Sequence, residues 1–172
     1  MLFDQKRYLL KGRLDFLVRI FDIVGVDGTP LGVAQDGDVF EAGGGDAAPI
    51  LTVRHPFKIF GDKVTIKEGD RTLGSFRFPL VPDESFQFLD ADDFEVATIY
   101  SDLGRSHFQI VAVDGAKLGE VIREWGGFVN ATIGGAHTYE VSIAAAGEQR
   151  PGTAALVLGT ALAIDIAFPR KE

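Results

Sequence analysis

The sequence predicts a mainly β protein: a closed antiparallel barrel, built from a meander of roughly ten to twelve strands, around one buried C-terminal helix. Three observations lead there. Short segments rich in β-branched and aromatic residues recur along most of the chain. Gly/Asp pairs punctuate them. Residues 154–164 are apolar throughout, so a helix there would be apolar on every face and must be buried on every face.

Taken in order, residues 17–24, 63–67, 72–78, 94–100, 106–113, 117–124 and 138–143 are strand candidates. Several alternate apolar with polar side chains, as half-buried strands do. Asp27-Gly28, Asp36-Gly37-Asp38, Gly61-Asp62, Gly69-Asp70 and Asp114-Gly115 mark turns, where Gly and Asp reach positive φ at low cost. A weak repeat runs through this pattern. Leu31-Gly32-Val33, Leu73-Gly74-Ser75-Phe76 and Leu118-Gly119-Glu120-Val121 each follow such a turn, with Ile50-Leu51-Thr52-Val53 and Val96-Ala97-Thr98-Ile99 between them. The spacing of about 19–23 residues is that of one hairpin with its connections. Residues 41–49 read as a flexible, Gly-rich loop. No linker divides the chain, so residues 1–172 are expected to form a single domain.

Pro151 and Thr153 suit a helix start, which places the core helix at about 152–164. Ala154, Ala155, Gly159, Ala161 and Ala163 make that helix thin, and a thin helix can thread a barrel whose lumen side chains alone do not fill. Residues 165–168 are expected to emerge as a last short strand.

The composition narrows the function. Length and 46% apolar residues suit one domain with a sizeable core. The absence of Cys excludes a disulfide scaffold, a thiolate metal site and a cysteine nucleophile. A net charge of -8 argues against nucleic acid, which needs a surplus of Lys and Arg. The N-terminus lacks a basic region ahead of an apolar core and has no Gly at position 2, and the C-terminus has no Cys for prenylation. A cytoplasmic protein is expected. The apolar run 154–164 would be roughly 16 Å long as a helix against a hydrocarbon core of about 30 Å, so no transmembrane span is expected.

Three C-terminal segments carry a family resemblance. They are Leu118-Gly119-Glu120-Val121-Ile122-Arg123-Glu124-Trp125-Gly126-Gly127-Phe128, then Thr138-Tyr139-Glu140-Val141-Ser142-Ile143, then the apolar segment from Ala154 to Ile164-Asp165. Their order and spacing resemble the phospholipid scramblase family and the related LURP-one proteins. The resemblance covers about 50 residues well, and the N-terminal hairpins only as pattern. It implies the tubby-like fold, a twelve-stranded barrel around a central C-terminal helix. It also implies a non-enzymatic role: peripheral membrane association, phosphoinositide head-group binding or protein interaction. The calcium ligands that scramblases place before the helix correspond here to Gly135 and His137, neither a hard oxygen ligand, so calcium-driven lipid scrambling is not expected. The alternative is a small-ligand carrier of the lipocalin type, and an open lumen would favour it.

Other constellations lack the spacing their chemistry needs. Asp90-Ala91-Asp92-Asp93-Phe94-Glu95 departs from a calcium loop, which would have Gly at 95 and an acid at 101, and reads as a solvated turn. His55, His107 and His137 share no short ligand spacing, and no metal or cofactor is expected. No Ser sits in a nucleophile elbow, and neither Gly43-Gly44-Gly45 nor Gly134-Gly135 leads into a phosphate-binding helix, so the expectation is no enzyme. Trp125 is a membrane-interface anchor or a ligand platform or, on the plainer reading, a barrel-end side chain packed over the helix. Basic residues gather at Lys6, Arg7, Lys11 and Arg13 and again at Arg54, Lys58, Lys63 and Lys67. The second group is the candidate lipid head-group patch, and ordinary solvated strand faces are its competing reading.

Overall fold

Alternation builds the wall. In β12, Tyr139 and Val141 point inward between outward-leaning Thr138, Glu140 and Ser142, and β5 and β10 repeat the pattern. The computed structural model describes residues 1–15, 18–55, 63–78, 85–124 and 137–168. The strands are β1 (Arg7–Asp15), β2 (Val18–Gly25), β3 (Pro30–Gln35), β4 (Asp38–Glu41), β5 (Leu51–Arg54), β6 (Lys63–Glu68), β7 (Arg71–Arg77), β8 (Ser85–Asp90), β9 (Glu95–Ser101), β10 (His107–Ala112), β11 (Lys117–Glu124) and β12 (Thr138–Ile143). Each pairs with its sequence neighbours, and β12 pairs antiparallel with β1, so the meander closes into a twelve-stranded barrel with no free edge. Trp125, Lys58 and the Gly61-Asp62 turn lie outside the described residues.

The two-residue turns follow their chemistry. Asp36 and Gly37 both have positive φ, +50° and +87°, between the paired ends Gln35 and Asp38 of β3 and β4. A Cβ on Gly37 would also strike the carbonyl oxygen of Val53, so Gly is required twice over. The loop expected over residues 41–49 is the β4–β5 connection, residues 42–50, with Glu41 ending β4, and it is pinned at both ends, by Ala42 N to Leu31 O at 2.9 Å and Ile50 N to Val39 O at 2.8 Å.

After β12 come the short helix α1 (Ala145–Glu148) and then α2 (Thr153–Ala167). Helix α2 packs against β11 and β12 on one side and β5 and β6 on the other. These pairs stand on opposite sides of the ring, so the helix runs through the lumen. Residues 155–165 are all buried. The helix extends past the expected 152–164, and residues 165–167 are helical rather than strand, with Phe168 N closing the last turn on Ile164 O at 2.8 Å. A strand there would have pulled Asp165 away from the partners described below. An aromatic cluster packs beside the helix, with Phe76, Phe78, Phe86, Phe88, Phe108 and Phe168 in linked ring contact at centroid distances of 4.7 to 6.5 Å. A 3-10 turn, Leu2–Asp4, buries Leu2 completely near the start of α2.

The meander gives the barrel two distinct ends. Connections from odd to even strands leave the end where α2 terminates, here called the exit end. Connections from even to odd strands leave the end where α2 begins, the entry end.

Gly159 is where the wall and the helix come closest. Gly inside a helix is less stable than Ala by roughly 1 kcal/mol, yet a Cβ here would collide with Ile66 Cδ1 of β6. Gly159→Ala is therefore expected to destabilise the protein by about 1–2 kcal/mol in urea unfolding. Ile66→Val removes the colliding atom, and in that background the same substitution should be neutral or stabilising.

Candidate functional site

The exit end concentrates the charged groups that the fold does place inward. Asp165 is the single charged residue of α2 and is buried. A carboxylate in the last turn of a helix is opposed both by burial and by the negative end of the helix dipole. Three partners offset this. Arg19 Nη1, from β2, donates to Asp165 Oδ2 at 2.8 Å and to its main-chain oxygen at 3.0 Å. Tyr139, from β12, donates its hydroxyl to Asp165 Oδ1 at 2.9 Å. Burial and the neighbouring carboxylate push the Tyr139 phenol upward, so it remains a donor. Arg123, paired in register with Tyr139, donates from Nη1 to Phe168 O at 3.0 Å and so satisfies another carbonyl of the helix terminus.

Beside this network lies a cleft of about 470 Å³. Phe21, Val53, Leu162 and Ile166 are among its apolar lining residues, and Arg19, Arg54, His55, Asp36 and Asp165 supply its polar groups. Arg19 is half-exposed, and its Nε and Nη2 have no hydrogen-bond partner among the described residues. Arg54 is held in place over the β3–β4 turn, donating to Asp36 O at 2.9 Å and to Asp38 Oδ1 at 2.7 Å. The cleft thus combines an apolar floor with guanidinium groups whose positions are set by bonds inside the protein.

The structure brings together part of the basic group named from the sequence. Arg54, Lys63 and Lys67 all face outward on the adjacent strands β5 and β6, and Arg77 of β7 lies opposite Lys63 in register. Lys63 is paired with Asp93 at 3.1 Å, and Lys67 is exposed. The N-terminal group is dispersed among acids: Lys6 with Glu148, Arg7 with Glu140 and Arg13 with Asp22. Sequence reasoning named Arg123, Tyr139 and Asp165 only within the segments of the family resemblance, with no role for their side chains, and it passed over Arg19. The available signal was a charge inside an otherwise apolar helix, which requires a buried partner.

Among the described residues no group of three or more His, Asp or Glu is placed to hold a metal ion. Asp90 instead organises its turn, with Oδ1 accepting from the amides of Asp92 and Phe94 at 2.9 and 3.0 Å. His107 Nε2 lies 2.8 Å from Glu120 Oε2, which also accepts from Lys117 at 3.1 Å. The bond with His107, against partial burial and with help from Lys117, holds the Glu120 carboxyl below the usual carboxylate range. No helix among the described residues is long and apolar enough to cross a membrane, which leaves open what strands do. No family model, curated protein or solved structure matches the chain.

Two substitutions test the network by denaturant unfolding, and a third, outside it, is the contrast. Asp165→Ala strands the Arg19 and Tyr139 donors and should cost about 3 kcal/mol. Tyr139→Phe should cost about 1–2 kcal/mol. Tyr8→Phe should be neutral or stabilising, because the buried Tyr8 hydroxyl has no partner among the described residues.

The Glu120 shift has a defined sign. A carboxyl depressed in the folded state contributes stability that is present above the ordinary carboxylate range and is lost as pH falls through its depressed value. Glu120→Gln is expected to flatten the acid limb of the urea midpoint plotted against pH.

Proposed function

We propose that this protein is a non-enzymatic barrel of the scramblase and LURP-one kind, peripheral to membranes, that receives anionic lipid head groups at its exit end, phosphoinositides among them. The observation that carries this reading is the exit-end cleft. It offers apolar surface next to Arg19, whose unspent donors suit phosphate oxygens, and Arg54 fixes a second guanidinium at its edge. On the neighbouring outer face Lys67 and Arg77 are exposed, while Arg54 and Lys63 are paired with Asp38 and Asp93. Against the net charge of -8, this grouping is local and would act over a short range.

The placement of α2 argues for the rim rather than the interior. A carrier of the lipocalin type holds its ligand in the lumen, and here the helix occupies that space.

The test is sedimentation of the purified protein with phosphatidylcholine vesicles, with and without phosphatidylserine or phosphoinositide, at two salt concentrations. Binding to the acidic vesicles that weakens with salt is expected. Each cation near an anionic surface contributes about 1 kcal/mol, so joint reversal of Arg54 and Arg77 to Glu should weaken binding by more than about tenfold. No binding to any vesicle overturns the proposal.

A further inference from the structure

Among the described residues, the two ends of the barrel differ in charge and in what they expose. The described connections at the entry end, residues 26–29, 42–50, 69–70, 91–94 and 113–116, hold Asp27, Asp46, Asp70, Asp92, Asp93 and Asp114 and no Lys or Arg. Of the cations nearest these connections, Lys6, Arg71 and Arg150 are paired with Glu148, Glu68 and Asp114, Lys63 reaches Asp93, and Lys67 beside the β6–β7 turn is exposed. At the exit end, Arg105 and Arg123 have no carboxylate partner among the described residues. Arg105 lies 4.2 Å above the Phe168 ring, and Arg123 bonds to the Phe168 carbonyl.

The β9–β10 turn projects from the exit end and carries Leu103, which is 89% exposed. The turn is stiff. Asp102 accepts from Ser106 N at 2.7 Å, from Ser106 Oγ at 2.7 Å and from His107 N at 3.0 Å. Its carboxylate is therefore engaged by the turn itself. Tyr100, half-exposed on β9, stands behind Leu103 with the amphipathic character of an interfacial side chain. A single exposed Leu is common on protein surfaces. The entry end also exposes Val26, Phe94 and Val113, but these stand among the acids. The combination of an exposed apolar tip with unpaired guanidinium groups belongs to the exit end.

We infer that the protein docks on an anionic lipid bilayer with its exit end, Leu103 entering the interface and Arg105 and Arg123 facing the phosphates, while the acidic entry end points away. The inference rests on the lipid reading above and adds the orientation. Repulsion acts in the same sense as attraction here, because an anionic surface disfavours the six aspartates of the opposite end.

The chain contains no Cys, so a single introduced Cys gives a unique label. Leu103→Cys and, separately, Val113→Cys are labelled with an environment-sensitive fluorophore and mixed with phosphatidylcholine vesicles with and without phosphatidylserine. With phosphatidylserine present, the label at 103 should shift to the blue and become shielded from an aqueous quencher, and the label at 113 should do neither. Leu103→Asp should weaken vesicle sedimentation by about tenfold with an unchanged unfolding midpoint. Sedimentation with the label at 113 shielded, or with neither label shielded, overturns the docking orientation while leaving lipid binding standing. Absence of sedimentation overturns both.

Discussion

A closed ring of twelve strands encloses more space than its inward side chains can fill, and an apolar helix without a polar face has no stable place in water. In this protein each problem solves the other. Residues 155–165 of α2 are buried around the full circumference of the helix, and the strands that contact it stand on opposite sides of the ring. The helix is thin at Gly159, where Ile66 of the wall is close, and the wall is thin at Gly119, where Val157 of the helix is close. On the side of β7, β8 and β10, the aromatic cluster supplies the bulk that the small helical residues lack. Removing the helix would leave an apolar lumen exposed to water, so the barrel and its helix form one cooperative unit.

Much of this was legible in the chain. The strands that alternate cleanly, such as β10 and β12, coincide with the segments read from period two, and Asp36-Gly37 forms the turn its residues suit. The wholly apolar segment pointed to its own burial, and burial pointed to a lumen. The misses have physical causes. The segment Arg7–Asp15 mixes an apolar doublet with closely spaced charges, so its alternation is masked, although Tyr8 and Leu10 face inward. The C-terminal end of α2 looked like a break because Asp165 interrupts the apolar run, but Arg19 and Tyr139 supply from other strands what the local sequence lacks. Partners 146 and 26 positions away leave no local trace. The site was legible only in part for the same reason. Runs of Lys and Arg are visible in a sequence, but which acids neutralise them is decided by strand register, as the pairing of Lys63 with Asp93 illustrates.

The charges at the exit end serve two purposes. Arg19 and Arg123 hold the helix terminus, and they also place guanidinium groups at the barrel opening. A positively charged rim that is part of the structural core cannot drift in position as surface lysines do, so whatever it meets is met by a fixed pattern of donors. The proposed contact with lipid thus uses groups that stability already requires.

Closure of the ring has a consequence for how the chain reaches this state. Arg7 of β1 bonds to Glu140 of β12 across 133 positions, and α2 follows β12 in the chain. During synthesis the early strands can pair with one another, but the first cannot find its partner until nearly the whole sequence has emerged. Until then the growing sheet has two unsatisfied margins and an empty, greasy interior. Such long-range topologies fold slowly, and open strand edges are templates for aggregation. The interval before the helix arrives is therefore the hazardous part of this protein's life, the point at which a chaperone would have most to shield.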